Sequence, residues 1–387
     1  MRVLIAPMAA MAETSGPFSR AAALGMGLLT SGHEVAFCAA EEINYKEVQG
    51  IHNYKAPIPP LLGLPMPMAK KMLIVAQKTG VQQKKKVNSF EQVLLFAGVL
   101  NKKHFEEDVA CIRTAIREYK PDVVYAEFRI AAIVAAKLEG VRVASGYSYP
   151  VQASFASAPK LSKKVRAYVR ELGLPHTESV LEIFEWADIK IIPSSYGLEP
   201  IKGENTVFTG PFYQLHETQK AERNNRIIAY MGMGSISPQT VVKELTEAFL
   251  GTGYEVYIAS AQLAPYKEGN ITVDKRFDFS QLMPGAAVYI NHGGQNSIMN
   301  GLTYGVPQII CPGNVFERIY NAESIANLHA GVVIVADCFK AENIFTTVQE
   351  LEADGQVREN AFQGGRTLLQ LGGVHKAIEA LEELVNK

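Results

Sequence analysis

Apolar runs of strand length alternate with stretches whose apolar positions recur at helical spacing along most of the chain. Val3 to Met8 reads as a buried strand, Ala9 to Gly16 as a loop, and Pro17 to about Thr30 as an Ala/Leu/Gly-rich helix. Pro in the first turn and Gly32 after the last mark the helix ends, and Glu34 to Ala39 is the next strand. The rhythm returns with strands at 122–125, 141–145, 189–193 and 207–208, and with a helix from Ile130 to Leu138 stopped by Gly140. It starts again at Arg226 to Met231, a strand that runs into Gly232-Met233-Gly234-Ser235 and a helix beginning near Pro238. Strands at 287–290 and 308–311 flank a further helix that ends at Gly305-Val306-Pro307. After Val335 the pattern is mostly helical, and Val374 to Val385 is amphipathic. Strands alternating with helices predict an α/β protein with parallel sheets.

Two stretches break the rhythm. Prolines at 57, 59, 60, 65 and 67 mark a loop, followed by amphipathic stretches interrupted by Lys84-Lys85-Lys86. The lysine run reads best as a solvated face, with contact to an anionic lipid surface or an acidic acceptor as the minority reading. Thr209-Gly210-Pro211-Phe212 opens a polar segment without apolar period, which predicts a boundary. The expected division is therefore a first domain at 1–212, a linker at 213–225, a second domain at 226–370 and a final helix at 371–387.

Composition narrows the function classes. A length of 387 residues suits two domains, and a net charge of -1 gives no electrostatic reason for a nucleic-acid partner. No apolar run has transmembrane length and the first residues enter a strand, so a cytoplasmic protein with at most peripheral membrane contact is expected. Cys38, Cys111, Cys311 and Cys338 are widely spaced and read as free thiols rather than a zinc site or disulfide framework. The dinucleotide fingerprint is missing from the first turn, which disfavours nicotinamide and flavin chemistry.

The stretch from Ile290 to Val332 organises the chemistry. Asn291-His292-Gly293-Gly294 stands where a strand turns into a helix. Glycine lets backbone approach a ligand there, and the helix start offers unpaired N–H groups, which makes an anion site. His292 is expected to add a ring donor for a phosphate oxygen. Pro312-Gly313 opens a second loop carrying Glu317 and Arg318, and Asn321 follows on the next helix. Both loops leave the carboxyl ends of neighbouring strands, where open α/β sheets bind ligands.

The order His-Gly-Gly-x-Asn-Ser, Gly-Val-Pro, Pro-x-x-x-x-Glu and Asn-Ala resembles the donor-binding signature of the UDP-glycosyltransferase superfamily, which includes antibiotic, macrolide and plant natural-product enzymes. The resemblance implies the GT-B fold, two Rossmann-like domains facing across a cleft, with the final helix packing back on the first. It implies an inverting, metal-independent hexosyl transfer from a UDP- or TDP-sugar, the co-substrate, to a hydroxyl of a small or lipophilic acceptor, without a further cofactor. His292, Gly293, Gly294, Asn296, Ser297, Gly234 and Ser235 would then surround the diphosphate. Glu317 and Asn321 would bond sugar hydroxyls or fix their loop, and Phe277 and Phe279 fall where relatives hold the nucleobase.

Several positions depart from the resembled pattern. A catalytic histidine is implied three residues before Pro17, where this chain has Thr14, and an orienting aspartate is implied where Ala126 and Glu127 stand. Glu13 is the substitute base or an exposed loop carboxylate, and Glu127 supports it or is the base itself. Asn300 replaces a ribose-binding glutamate, and Arg318 replaces a glutamine. Arg318 either pairs with Glu317 or binds the carboxylate of an acidic sugar. Two rivals stand beside the transferase: a non-catalytic glycosyltransferase-like partner that binds a nucleotide sugar, and a sugar-nucleotide epimerase or hydrolase. The oligomeric state is left open, a homodimer included.

Overall fold

A computed structural model describes residues 1–9, 16–42, 45–61, 86–212, 221–232 and 236–387. Glu13, Thr14, Gly234, Ser235, Lys84 and Lys85 lie outside the described residues. The chain divides into two units. The first holds the described residues up to 61, then 88–212 and 371–387; the second holds 86–87, 221–232 and 236–370.

Seven parallel strands form the sheet of the first unit: β1 Arg2–Pro7, β2 Glu34–Phe37, β3 His52–Asn53, β4 Val123–Glu127, β5 Arg142–Gly146, β6 Ile189–Ile192 and β7 Thr206–Phe208. Their order is β3-β2-β1-β4-β5-β6-β7, so the direction of winding reverses between β1 and β4. Both strands are buried on both faces, as near-continuous apolar runs require when helices cover a parallel sheet. The helix Gly16–Thr30 puts Ala21, Leu24 and Leu28 into that core.

The last helix, Gly373–Asn386, adds Ala377, Ile378, Leu381 and Leu384 to the same core. Gly373 N donates to Thr209 O at 2.6 Å, and Gly27 leaves room for Val374, whose Cγ1 would lie 2.3 Å from a Cβ at position 27.

The sheet of the second unit comprises β8 Arg226–Tyr230, β9 Glu255–Ala259, β10 Tyr266–Glu268, β11 Ile271–Asp274, β12 Val288–Asn291, β13 Gln308–Ile310 and β14 Gly331–Val333. Its order is β10-β11-β9-β8-β12-β13-β14, parallel except for the antiparallel edge strand β10. The winding reverses between β8 and β12, where an open sheet parts to admit a ligand.

The expected continuous first domain at 1–212 needs one correction, because residues 86–87 group with the second unit. Val87 forms a parallel bridge with Val315; its N–H donates to Asn314 O and its carbonyl accepts from Phe316 N, both at 3.0 Å. Neither periodicity nor punctuation distinguishes so short an excursion. Among the described residues no helix is long and apolar enough to cross a membrane.

Candidate functional site

In the second unit the ligand-facing ends of β8 and β12 lie side by side, with Ile290 beside Ala229 and Asn291 beside Tyr230. β12 ends at Asn291, a wholly buried amide that does two jobs. Its Oδ1 accepts from Gly293 N at 2.8 Å, closing the turn, and its Nδ2 donates to Gln308 Oε1 at 2.9 Å. Gln308 Nε2 in turn donates to Ile298 O in the helix Gln295–Thr303. This relay ties β13, the turn and the helix together. Its sequence signal was a polar residue inside an otherwise apolar strand, since a buried amide must find partners.

Gly293 is required twice over. Its φ is +78°, and a Cβ there would lie 2.8 Å from Arg318 O. Its own carbonyl accepts from Asn321 Nδ2 at 2.8 Å, so buried Asn321 ties the helix Phe316–Asn327 to this turn. Gly294 caps the helix without any side-chain cap bond, so no side-chain oxygen of the cap fills the helix start. Asn296 is exposed in the first turn, Ser297 is buried there, and Asn300 is half-buried one turn on.

His292 is 6% exposed and stands edge-on to Tyr230, with 5.6 Å between ring centres. Burial, reinforced by the nearby Arg318 charge, pushes it down to about 3, so the ring is neutral at ordinary pH. Its Nδ1 lies 3.4 Å from the carbonyl of Tyr230. A neutral ring that donates from Nδ1 carries a lone pair on Nε2, so in that tautomer donation from Nε2 to a phosphate oxygen needs proton uptake first. The fixed positive charge beside this turn belongs to Arg318. Burial lowers Arg318 from its usual range, while Glu317 and Tyr230 pull the other way. Glu317 and Arg318 begin the helix Phe316–Asn327.

Phe277 and Phe279 are engaged in packing. Phe277 meets Tyr257 edge-on at 5.6 Å, and Phe279 packs on Tyr230 at 6.2 Å and Tyr289 at 6.0 Å. Asp278 between them caps the short helix Phe279–Leu282 by accepting from Ser280 N. A shallow apolar concavity lined by Met231, Gly232, Ile258 and Ala259 lies at the carboxyl ends of β8 and β9.

In the first unit the expectation for Glu127 is corrected. Its side chain, at the end of β4, is wholly buried. Oε1 takes the Arg20 Nε proton at 2.6 Å and Oε2 takes the Tyr125 hydroxyl at 2.6 Å. A carboxylate with both oxygens engaged and its charge balanced by a guanidinium is built to hold structure, and it does not stand open to an acceptor hydroxyl. Burial, with the Glu127 charge added, raises Tyr125 well above the usual phenol range, so its proton stays on the bond. A second buried pair, Arg129 with Asp108, gathers the carbonyls of Pro7 and Cys38.

Comparisons with known proteins agree with this architecture. Residues 262–368 match the family described as Erythromycin biosynthesis protein CIII-like, C-terminal domain. The NDP-glycosyltransferase YjiC of Bacillus licheniformis is 23% identical over 304 residues, covering 72% of this chain and 76% of that protein. The calicheamicin glycosyltransferase CalG4 superposes at a TM-score of 0.75 with 16% identity, over 100% of this chain and 98% of its own. Spinosyn rhamnosyltransferase SpnG, solved once with thymidine diphosphate and once with spinosyn aglycone, gives TM-scores of 0.69 and 0.68 at 16% and 15% identity, over 99% of this chain and 100% of its own. With its two doubly wound sheets and the glycine turn at the switch point of the second, the chain has the GT-B fold and is similar to natural-product glycosyltransferases of the UDP-glycosyltransferase superfamily.

Proposed function

We propose that the protein moves a sugar from a nucleoside-diphosphate donor to a hydroxyl of a small or lipophilic acceptor, with inversion at the anomeric carbon and without a metal or other cofactor. One observation carries this reading: a glycine-capped helix start, the neutral His292 ring and the Arg318 charge share the switch point of the second sheet. The departing diphosphate develops charge as the glycosidic bond breaks. Helix N–H groups and a guanidinium answer that charge in the way a divalent ion does elsewhere. A diphosphate at the turn also favours a protonated His292, whose Nε2 then donates.

The neighbouring Glu317 offers Arg318 a carboxylate within the chain, and the carboxylate of a uronic acid is the alternative partner that the donor panel tests. For the acceptor proton, Glu127 is committed to Arg20 and Tyr125, which leaves Glu13 as the proposed base. An acceptor that loses its proton readily, such as a phenol, lessens the demand on that base.

The test is release of UDP and TDP from a panel of nucleotide sugars, uronic acids included, with and without a pool of phenolic, steroid and lipid alcohols, in chelator. Acceptor-dependent release that survives chelator, falls in Arg318→Gln and in Glu13→Gln, and yields the inverted anomer is the expected result. Donor binding without release across the panel would instead establish a non-catalytic nucleotide-sugar-binding protein.

A further inference from the structure

Two cysteines separated widely in sequence meet in one corner of the first unit. Cys38 directly follows β2 and is wholly buried; its N–H donates to Ile5 O at 2.9 Å and its carbonyl accepts from Arg129 Nη1. The same guanidinium holds Asp108, with Nε 3.1 Å from Oδ2, and Asp108 stands one turn before Cys111 on the helix Lys102–Tyr119. Cys111 Sγ reaches Lys55 O at 3.5 Å. Lys55 belongs to the segment that runs beside the end of β2, where Phe37 pairs with Asn53 and Ala40 bridges to Ala56. Within this frame each thiol acts on the other's acidity.

The two partners differ in access and in acidity. Cys111 is half-buried, and Cys38, helped by the Arg129 charge, holds the Cys111 thiol down at about 7 against the effect of burial. Cys38 is raised by Cys111 and by burial. Reactive thiols combine low pKa, partial exposure and a resolving neighbour. Neither of the other cysteines does: Cys311 is buried and pushed up to about 12, and Cys338 is exposed in the second unit.

We propose that Cys111 and Cys38 form a reversible modification site for low-molecular-weight disulfides of the glutathione class. The Cys111 thiolate attacks one sulfur of the small disulfide, whose S–S bond breaks and whose other half leaves as a thiolate. The Cys38 sulfur then attacks Cys111 Sγ, its proton passing to the second departing thiolate. Two protein thiols are thereby oxidised to one Cys38–Cys111 disulfide, and one small disulfide is reduced to two thiols. In a reducing compartment such a bond is transient, which suits a sensor better than a staple.

The experiment treats the full chain carrying Cys338→Ser with oxidised glutathione, quenches with an alkylating agent and maps the peptides by mass spectrometry. A linked Cys38–Cys111 peptide that dithiothreitol reverses is the expected product, with Cys38→Ser arrested as a glutathione adduct on Cys111 and Cys111→Ser unreactive at Cys38. An adduct that persists on Cys111 while Cys38 is present, or full recovery of both alkylated thiols in a chain with unchanged circular dichroism, overturns the proposal. The linked peptide is read in the chain with both cysteines intact, so a poorly folding variant does not obscure it.

Discussion

Replacing Glu127 by glutamine distinguishes a structural carboxylate from a catalytic one. The substitution keeps size and one acceptor oxygen but removes the charge that balances Arg20, whose side chain is only 11% exposed. Breaking a buried pair by neutralising one partner costs about 3–5 kcal/mol, because the other charge is left desolvated. The glutamine oxygen still accepts from Arg20 or Tyr125, and Arg20 keeps its place over the Phe128 ring at 5.1 Å, so the lower end, about 3 kcal/mol, is expected. For a unit of this size that lowers Tm by roughly 6–12 °C. The assay pairs calorimetry with acceptor-dependent nucleotide release at a temperature where the variant stays folded. Loss of a general base costs roughly 100- to 10,000-fold in rate. A variant of unchanged Tm whose kcat collapses on that scale would refute the structural assignment and return Glu127 to the chemistry.

Gly27→Ala should destabilise the first unit by about 1–3 kcal/mol, since its Cβ would meet Val374 Cγ1 at 2.3 Å, and Val374→Ala should restore most of the loss in a double-mutant cycle. Additive losses would mean that the last helix does not dock at this point. Asn321→Leu removes the donor to Gly293 O inside a buried turn and should cost about 1–3 kcal/mol together with nucleotide affinity, followed by urea unfolding and by titration with UDP. Unchanged UDP affinity would detach that turn from the donor site. His292 is depressed from 6.5 to about 3 in the folded chain, so between those values the unfolded state binds more protons and stability falls as pH falls. His292→Gln should flatten that acid limb in the second unit; a limb identical to the parent's would count against a neutral buried ring.

Much of this protein was legible in its chain order. The strands β1, β4, β8 and β12, the helix beginning at Gly16 and the glycine turn after Asn291 are local signals, set by apolar period and by backbone freedom within a few residues. The short or exposed strands β3, β10 and β14 were not, because two or three residues carry no period and an exposed edge carries no apolar face. The glycine turn also announced what kind of ligand it suits, since a helix start binds anions whatever surrounds it.

What those residues do was decided by tertiary structure. Asn321 reaches back to Gly293 and Arg20 reaches Glu127 across 107 positions. Cys38 meets Cys111 around a guanidinium that periodicity never marked as a hub. Each is a polar pair made only once the sheets have wound, and each exists because a buried polar or charged group must be satisfied by whatever the fold brings beside it. The chain by itself therefore determined where backbone could turn and what chemistry was on hand. Burial and long-range pairing determined which carboxylate became structural, which histidine stayed neutral and which thiol became acidic.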